Sequence, residues 1–121
     1  MSSCAGTTPK YGPNRSYPVG IEGYSYTYGY FDVPLDSNSY VITFSDPFST
    51  DEANRLAEYR AAELTNQHGF DYFILNKSRV DESTATKIIR MYKGAAPSGN
   101  PLAYNAKAIL KVMPQTIERS N

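Results

Sequence analysis

The sequence predicts an α+β domain in two layers, with a single sheet of about five strands and one helix packed on one face. Three observations support this prediction. The segment Ser49–Gly69 carries the signals for both ends of a helix, Gly23–Asp32 has a tyrosine at every second position, and Phe70–Leu75 is apolar on both faces. The predicted order is β-β-α-β-β-β. The sheet is antiparallel-dominated, or mixed if the strands that flank the helix run parallel through a right-handed crossover.

The helix is predicted in most detail. Ser49 and Glu52 have the spacing of a capping box, in which the hydroxyl accepts a hydrogen bond from the backbone N–H three residues later. Gly69 follows the last helical residues and can adopt the left-handed conformation that ends a helix. Arg60 lies near the middle of the apolar stripe, so either its stem extends along apolar surface toward water or its guanidinium pairs with a buried carboxylate. The stripe comprises Ala53, Leu56, Ala57, Arg60, Ala61, Leu64 and His68.

The strands are predicted from alternation of apolar and polar residues. The first two form a hairpin through turn residues 34–38, and the third is central. The last segment, Leu102–Met113, has residues that favour a helix, but its alternation predicts a strand. Asn76–Ser83 is predicted as a polar turn region and Gly94–Pro101 as a flexible loop. The five predicted strands are Gly23–Asp32, Ser39–Ser45, Phe70–Leu75, Thr84–Tyr92 and Leu102–Met113.

Composition excludes several classes of function. At 121 residues a single domain is expected, and 12 basic residues against 12 acidic ones leave no charge excess to attract nucleic acid. One cysteine cannot form an internal disulfide or a cysteine-based zinc cluster. The one histidine, His68, is explained by the favourable interaction of a cation with the end of the helix. We therefore expect no cofactor and no metal.

No sequence motif indicates an enzyme. There is no GxSxG elbow, no GxxxxGK[ST] loop and no GxGxxG fingerprint. The acidic residues between positions 32 and 52 lack the register of a calcium loop. A hydrolase would need two buried carboxylates facing one cleft, and the sequence alone does not indicate such a pair.

Four tyrosines form the main candidate binding surface. Because Tyr24, Tyr26, Tyr28 and Tyr30 alternate along one strand, they share one face, and such a row of rings suits a protein partner or a glycan. The preferred interpretation is structural, since tyrosines also stabilise strands through cross-strand pairs. Single-stranded nucleic acid is not expected, because no Lys or Arg is interleaved with the rings.

The N-terminus carries the single cysteine, Cys4, ahead of a Gly-, Pro- and Ser-rich segment. We predict a tether over residues 1–22, a domain over 23–113 and a loose tail over 114–121. A lone cysteine before a tether is typical of a lipidated bacterial lipoprotein, and the alternative is a free thiol. If Cys4 is acylated, the tether would hold the domain within about 50 Å of the lipid.

The motifs YRAAEL (Tyr59–Leu64) and GFDYF (Gly69–Phe73) resemble those of a family of small proteobacterial envelope lipoproteins of uncharacterised function. The resemblance extends over about Gly23–Met113. It implies an acylated Cys4 and a place in the cell envelope, at the outer membrane on its periplasmic or outer face. The family has no established activity, so no catalytic residue is implied.

The resulting expectation is a non-enzymatic lipoprotein that acts as an accessory or scaffold protein-interaction module of a membrane-associated assembly. It would touch the membrane through its lipid anchor only and would bind no nucleic acid. The alternative is a soluble module that binds a small ligand or a glycan through the tyrosine row. The sequence does not indicate an oligomeric state.

Overall fold

The structure of the protein is a computed structural model, and it describes residues 9–112. Six strands form one sheet in the order β1-β2-β3-β5-β4-β6, and every pair of neighbouring strands is antiparallel. Two helices pack against the same core as the sheet. The elements are β1 (Arg15–Pro18), β2 (Ser25–Asp36), β3 (Ser39–Ser45), α1 (Thr50–Gln67), β4 (Tyr72–Val80), β5 (Thr84–Tyr92), β6 (Ala103–Asn105) and α2 (Ala106–Val112).

The predicted α+β class with a helix on one face of a single sheet is confirmed. The two strands that flank α1, β3 and β4, do point in the same direction, but β5 lies between them and runs opposite to both. The crossover therefore creates no parallel pair, and the sheet is antiparallel rather than mixed.

The N-terminal boundary of the domain lies earlier than the sequence indicates. Residues 15–18 pair with 25–28 as strand β1, and the side chains of Tyr11 and Tyr17 are buried. The tether predicted over residues 1–22 therefore does not describe this segment. Prolines and glycines around β1 make its strand pattern hard to recognise in the sequence. The two buried tyrosines supply the apolar contacts that stabilise this strand. Cys4 and the predicted tail at 114–121 lie outside the described residues.

The strand prediction for Leu102–Met113 is wrong. Only three of these residues form a strand, and the chain then turns into α2, with the side chain of Asn105 accepting a hydrogen bond from the N–H of Ala108 (2.9 Å). Ala106, Ile109 and Leu110 face the core at helical spacing. In an alanine-rich segment the same residues fit both the two-residue repeat of a strand and the 3.6-residue repeat of a helix. Packing against α1 favours the helix.

Two strands are longer than predicted. β2 continues through Pro34 to Asp36, so the hairpin turn is confined to residues 37–38. β4 continues to Val80 through a bulge at Asn76. The bulge changes which residues share a face, because one extra residue reverses the alternation of side chains. As a result Ser78, and not Lys77, lies opposite Lys87.

Both predicted caps of α1 are confirmed. The side chain of Ser49 accepts a hydrogen bond from the N–H of Glu52 (3.1 Å). The carboxylate of Glu52 pairs with Arg55 (2.6 Å). At the other end Gly69 has a φ of +80°, and the N–H of Phe70 donates to the carbonyl of Thr65, as in a helix that ends with a left-handed residue.

The sheet has two faces of different environment, which we call the covered face and the open face. The covered face packs against α1, and the side chains at its centre are almost fully buried; they include Ile42, Phe44, Phe73, Ala85, Ile89 and Met91. The open face is formed by the intervening positions, which apart from Gly29 and Ser39 are half-buried or exposed. It includes Phe31, Val33, Val41, Thr43, Ile74, Lys77, Arg79, Thr86, Ile88 and Arg90.

Candidate functional site

Three members of the tyrosine row, Tyr26, Tyr28 and Tyr30, lie on the covered face. Tyr28 contacts the buried ring of Phe44 edge-on, with 5.3 Å between ring centroids, and Tyr30 lies 5.4 Å from the ring of Tyr11. Tyr26 stacks on Tyr17 of β1 at 5.4 Å. These three tyrosines are therefore used in packing within the protein, in agreement with the structural interpretation.

The fourth member of the row is placed differently. Tyr24 lies before β2 and is 67% exposed. The structure therefore does not bring the four predicted residues together as one accessible surface. Of the other predicted candidates, Ser49 and Gly69 serve as helix caps. The carboxylate of Glu52 pairs with Arg55, and the N–H of Ser49 donates to Asp46 instead (3.2 Å).

Arg60 is held in a buried ionic cluster. Its guanidinium donates to both carboxylate oxygens of Asp32, with a closest distance of 2.7 Å, and to Glu63 at 3.2 Å. The guanidinium carbon also lies 3.8 Å from the centre of the Tyr30 ring, a cation–π geometry. Tyr11 completes the cluster by donating a hydrogen bond to Glu63. Of the two roles considered for Arg60, pairing with buried carboxylates is the one observed.

Burial and charge fix the protonation states in this cluster. Burial raises the pKa of Tyr11 far above its usual range, and the negative charge of Glu63 raises it further, so Tyr11 stays a neutral donor. Burial acts to lower the pKa of Arg60, but its hydrogen bonds with Asp32 more than offset this and keep the pKa above its usual value. The cluster thereby attaches the N-terminal segment and β2 to α1.

Lys87 is the second buried cation of the covered face. It is 3% exposed, and its ammonium donates to the side chains of Asn54 and Ser78, the latter at 2.7 Å. Burial lowers the pKa of Lys87, and the charge of Glu58 partly opposes this. The bulge at Asn76 matters here, because it replaces a second lysine opposite Lys87 with the hydroxyl of Ser78.

The open face is the accessible surface of the sheet. Its apolar part follows β2, where Phe31 is 57% exposed and Val33 is 41% exposed. Leu35, 55% exposed, lies beside this part in the bulge at the strand end. Val41 and Ile88 continue this apolar surface on the next two strands. Large apolar side chains grouped on one face are typical of interaction surfaces, whereas isolated ones are common on any protein.

The far side of the open face is cationic. Lys77 and Arg79 project from β4, and Arg90 projects from β5. Arg79 pairs with Asp81 at 3.5 Å and Arg90 with Asp36 at 3.4 Å, both in exposed positions where such pairs contribute little to stability. The open face therefore grades from apolar at β2 to positively charged at β4.

The free edge of β2 does not offer an extended strand for pairing. The N–H and C=O of Tyr30 point away from β3, because they bond to Gly12 and Asn14 of the N-terminal segment. By alternation Pro34 also points outward, and proline has no N–H to donate. This edge of β2 is therefore poorly suited to strand addition, whereas the open face is accessible.

The sequence contained a signal for the open face. Phe31, Val33 and Leu35 alternate along the same strand as the tyrosines but in the opposite phase, and Phe70–Leu75 is apolar in both phases. A strand that is apolar in both phases needs cover on both faces. In residues 9–112 the helices supply cover on only one.

Comparisons with known proteins give no further indication of function. No family model, no curated protein and no solved structure matches this chain. Within residues 9–112, no three His, Cys, Asp or Glu side chains are grouped so that they could hold a metal ion, and no helix is both long and apolar enough to span a bilayer.

Proposed function

We propose that this protein is a non-enzymatic protein-interaction module, an accessory or scaffold component of a membrane-associated assembly in the bacterial cell envelope. The observation that carries the proposal is the open face, where Phe31 and Val33 expose apolar surface on adjacent rows of the sheet. Burying such side chains against a partner removes apolar area from water at about 25 cal/mol per Å². The contact surface is thus β2, but through the face opposite the tyrosine row.

The proposed attachment to the envelope is a lipid on Cys4. Because Tyr11 is buried in the core, only the residues between Cys4 and Tyr11 separate the lipid from the folded domain. At about 3.4 Å per residue this distance cannot exceed about 25 Å, half the value expected from the sequence. Such a short tether would keep the domain at the membrane surface, where a partner in a membrane complex is within reach.

The test of the interaction is co-purification from membranes of the native host. The tagged full chain is compared with a Phe31→Ser/Val33→Ser variant, and Tyr24→Ser serves as a matched control because it also removes an exposed aromatic ring. We expect the double variant to lose the associated complex and the control to keep it. Retention of the complex by a folded double variant would contradict the proposed surface.

The test of the anchor is the mass of the N-terminal peptide from the same material. A diacyl- or triacyl-glyceryl Cys4 is expected. An unmodified Cys4 thiol would contradict the lipid anchor and leave the interaction to be judged on co-purification alone.

A further inference from the structure

The residues of the open face lie in rows that cross the sheet from strand to strand. One row contains Phe31, Thr43, Thr86 and Arg79, on β2, β3, β5 and β4 in that order. The next contains Val33, Val41, Ile88 and Lys77. Each row thus begins with an exposed apolar side chain and ends with a cation, with β-branched residues between them.

We propose that the open face binds a second copy of this chain, in a dimer whose two-fold axis runs parallel to the strands and between β3 and β5. The inference goes beyond the proposed function, because it names a second copy as the occupant of the open face and has a test of its own. Two sheets that pack face to face lie about 10 Å apart, with their side chains interdigitated. A two-fold interface uses the same surface on both copies, so the surface must be complementary to itself.

The rows provide this self-complementarity. Rotation about the proposed axis keeps each residue at the same position along the strands and places β2 of one copy over β4 of the other. Phe31 therefore faces the partner's Arg79, and Val33 faces the partner's Lys77. An arginine over an aromatic ring is a favourable cation–π arrangement, and the alkyl stem of a lysine covers a valine well. The centre of the interface would contain Val41, Thr43, Thr86 and Ile88, whose branched side chains suit sheet packing.

The distribution of charge favours this axis over a two-fold axis that runs across the strands in the plane of the interface. A two-fold axis across the strands would place β4 over the partner's β4, with Lys77 and Arg79 close to the same two cations of the other copy. Like charges brought together in an interface cost several kcal/mol. With the axis along the strands, the two cationic margins lie on opposite sides of the dimer.

The area of the face is smaller than that of a standard dimer interface. The four strands that carry the rows lie about 4.8 Å apart and are about six residues deep, which gives a patch of roughly 15 by 20 Å, or roughly 300 Å² before side-chain relief is counted. A standard interface buries about 800 Å² on each partner. We therefore expect a reversible dimer that depends on concentration.

The experiment is sedimentation velocity of the full, unlipidated chain over a concentration series. We expect a monomer–dimer equilibrium in the native sequence. Phe31→Lys places a lysine against the partner's Arg79 and should raise the dissociation constant at least tenfold. Adding Arg79→Glu to that variant replaces the repulsion with an ion pair and should restore the dimer. Tyr24→Ser, outside the face, should leave the equilibrium unchanged.

Each other outcome overturns the proposal. A native chain that stays monomeric at several hundred micromolar, or a dimer indifferent to Phe31→Lys, would exclude the open face as the dimer interface. Loss of the dimer without restoration in the double variant would exclude the proposed axis. Thr43→Arg, which faces the partner's Thr86 at the centre, provides a second disruptive variant, and circular dichroism of each variant verifies its fold.

The two proposals fail separately. A monomeric chain whose membrane complex still depends on Phe31 and Val33 would overturn the dimer and retain the interaction module. A dimer that recovers no membrane complex would retain the self-association and contradict the proposed assembly.

Discussion

The covered and open faces of this sheet are built from the same strands, and both carry apolar side chains, yet only one is enclosed. On β5 the alternate residues Ala85, Lys87, Ile89 and Met91 are buried, while their neighbours on the open face are only half-buried. The covered face even encloses ions, among them Arg60 with its two carboxylates. Hydrophobicity alone therefore does not distinguish the two faces. The difference is that α1 and the N-terminal segment pack on the covered face.

The largest expected effect tests the ionic cluster of the covered face. Arg60→Leu removes the cation between Asp32 and Glu63 and leaves two carboxylates without their common partner. Removing one partner of a buried ion pair lowers the unfolding free energy by about 3–5 kcal/mol, which urea titration would measure. Arg60→Lys should recover only part of the loss, because lysine cannot bond both oxygens of Asp32 in a planar fork.

A control addresses the carboxylates themselves. Adding Asp32→Asn and Glu63→Gln to Arg60→Leu removes the uncompensated charges and should recover part of the lost stability. An Arg60→Leu variant as stable as the native protein would show that the cluster contributes nothing to the enclosure of this face.

The next effect compares the two faces directly, because β5 offers two adjacent isoleucines. Ile89 is fully buried on the covered face, whereas Ile88 lies on the open face. Ile89→Ala should cost about 2–5 kcal/mol of unfolding free energy at low protein concentration, and Ile88→Ala less than about 1 kcal/mol. Equal losses in the two variants would contradict the distinction between the faces.

A smaller effect tests how the N-terminal segment closes the covered face. Gly29 has a φ of +123°, and a Cβ at this position would lie 2.5 Å from the carbonyl oxygen of Gly12. Gly29→Ala should therefore cost about 1–3 kcal/mol and speed hydrogen exchange of the Asn14 amide, which bonds to Tyr30. Gly99→Ala is the matched control, since nothing lies within 4 Å of its added Cβ. Unchanged exchange in Gly29→Ala would exclude this close approach.

The sequence was sufficient for elements whose signals are local. The caps of α1 depend on residues three or four positions apart, and the strands Ser39–Ser45 and Thr84–Tyr92 have clear alternation, so all three were predicted at or near their observed bounds. β1 and α2 were not predicted, because each is stabilised by contacts with distant parts of the chain. Buried Tyr11 meets Glu63 of α1, and Ala106 packs in the core beside α1.

The sequence does not predict which face of the sheet is accessible, for a related reason. Tyrosine is compatible with both a core and a wet surface, so the row from Tyr24 to Tyr30 was equally suited to either face. Alternation shows that a strand has two faces, but it does not show which one a helix 20 residues later will cover. The open face could be identified only once α1 and the N-terminal segment had been placed.

The smallest expected effect concerns the pH dependence of the covered face at Tyr28. Burial, and after it the charges of Asp46, Glu52 and Tyr17, raise the pKa of Tyr28 from 10.0 to about 12, while Arg55 acts in the opposite direction. Between these two pH values the folded state keeps a proton that the unfolded state gives up. The unfolding free energy should therefore fall as the pH rises from 10 to 12.

Tyr28→Phe separates this contribution from the others. The variant has no proton to lose at this position, so its unfolding free energy should fall less steeply between pH 10 and 12 than that of the native protein. Tyr11, whose pKa is raised by burial and by Glu63, remains in the variant and contributes in the same direction, so the fall should be reduced and not abolished. Urea unfolding at pH 9, 10, 11 and 12 would measure both slopes. Equal slopes would mean that Tyr28 is as accessible to water as a residue of the open face, and that the covered face is less enclosed at this strand than its ring contacts indicate.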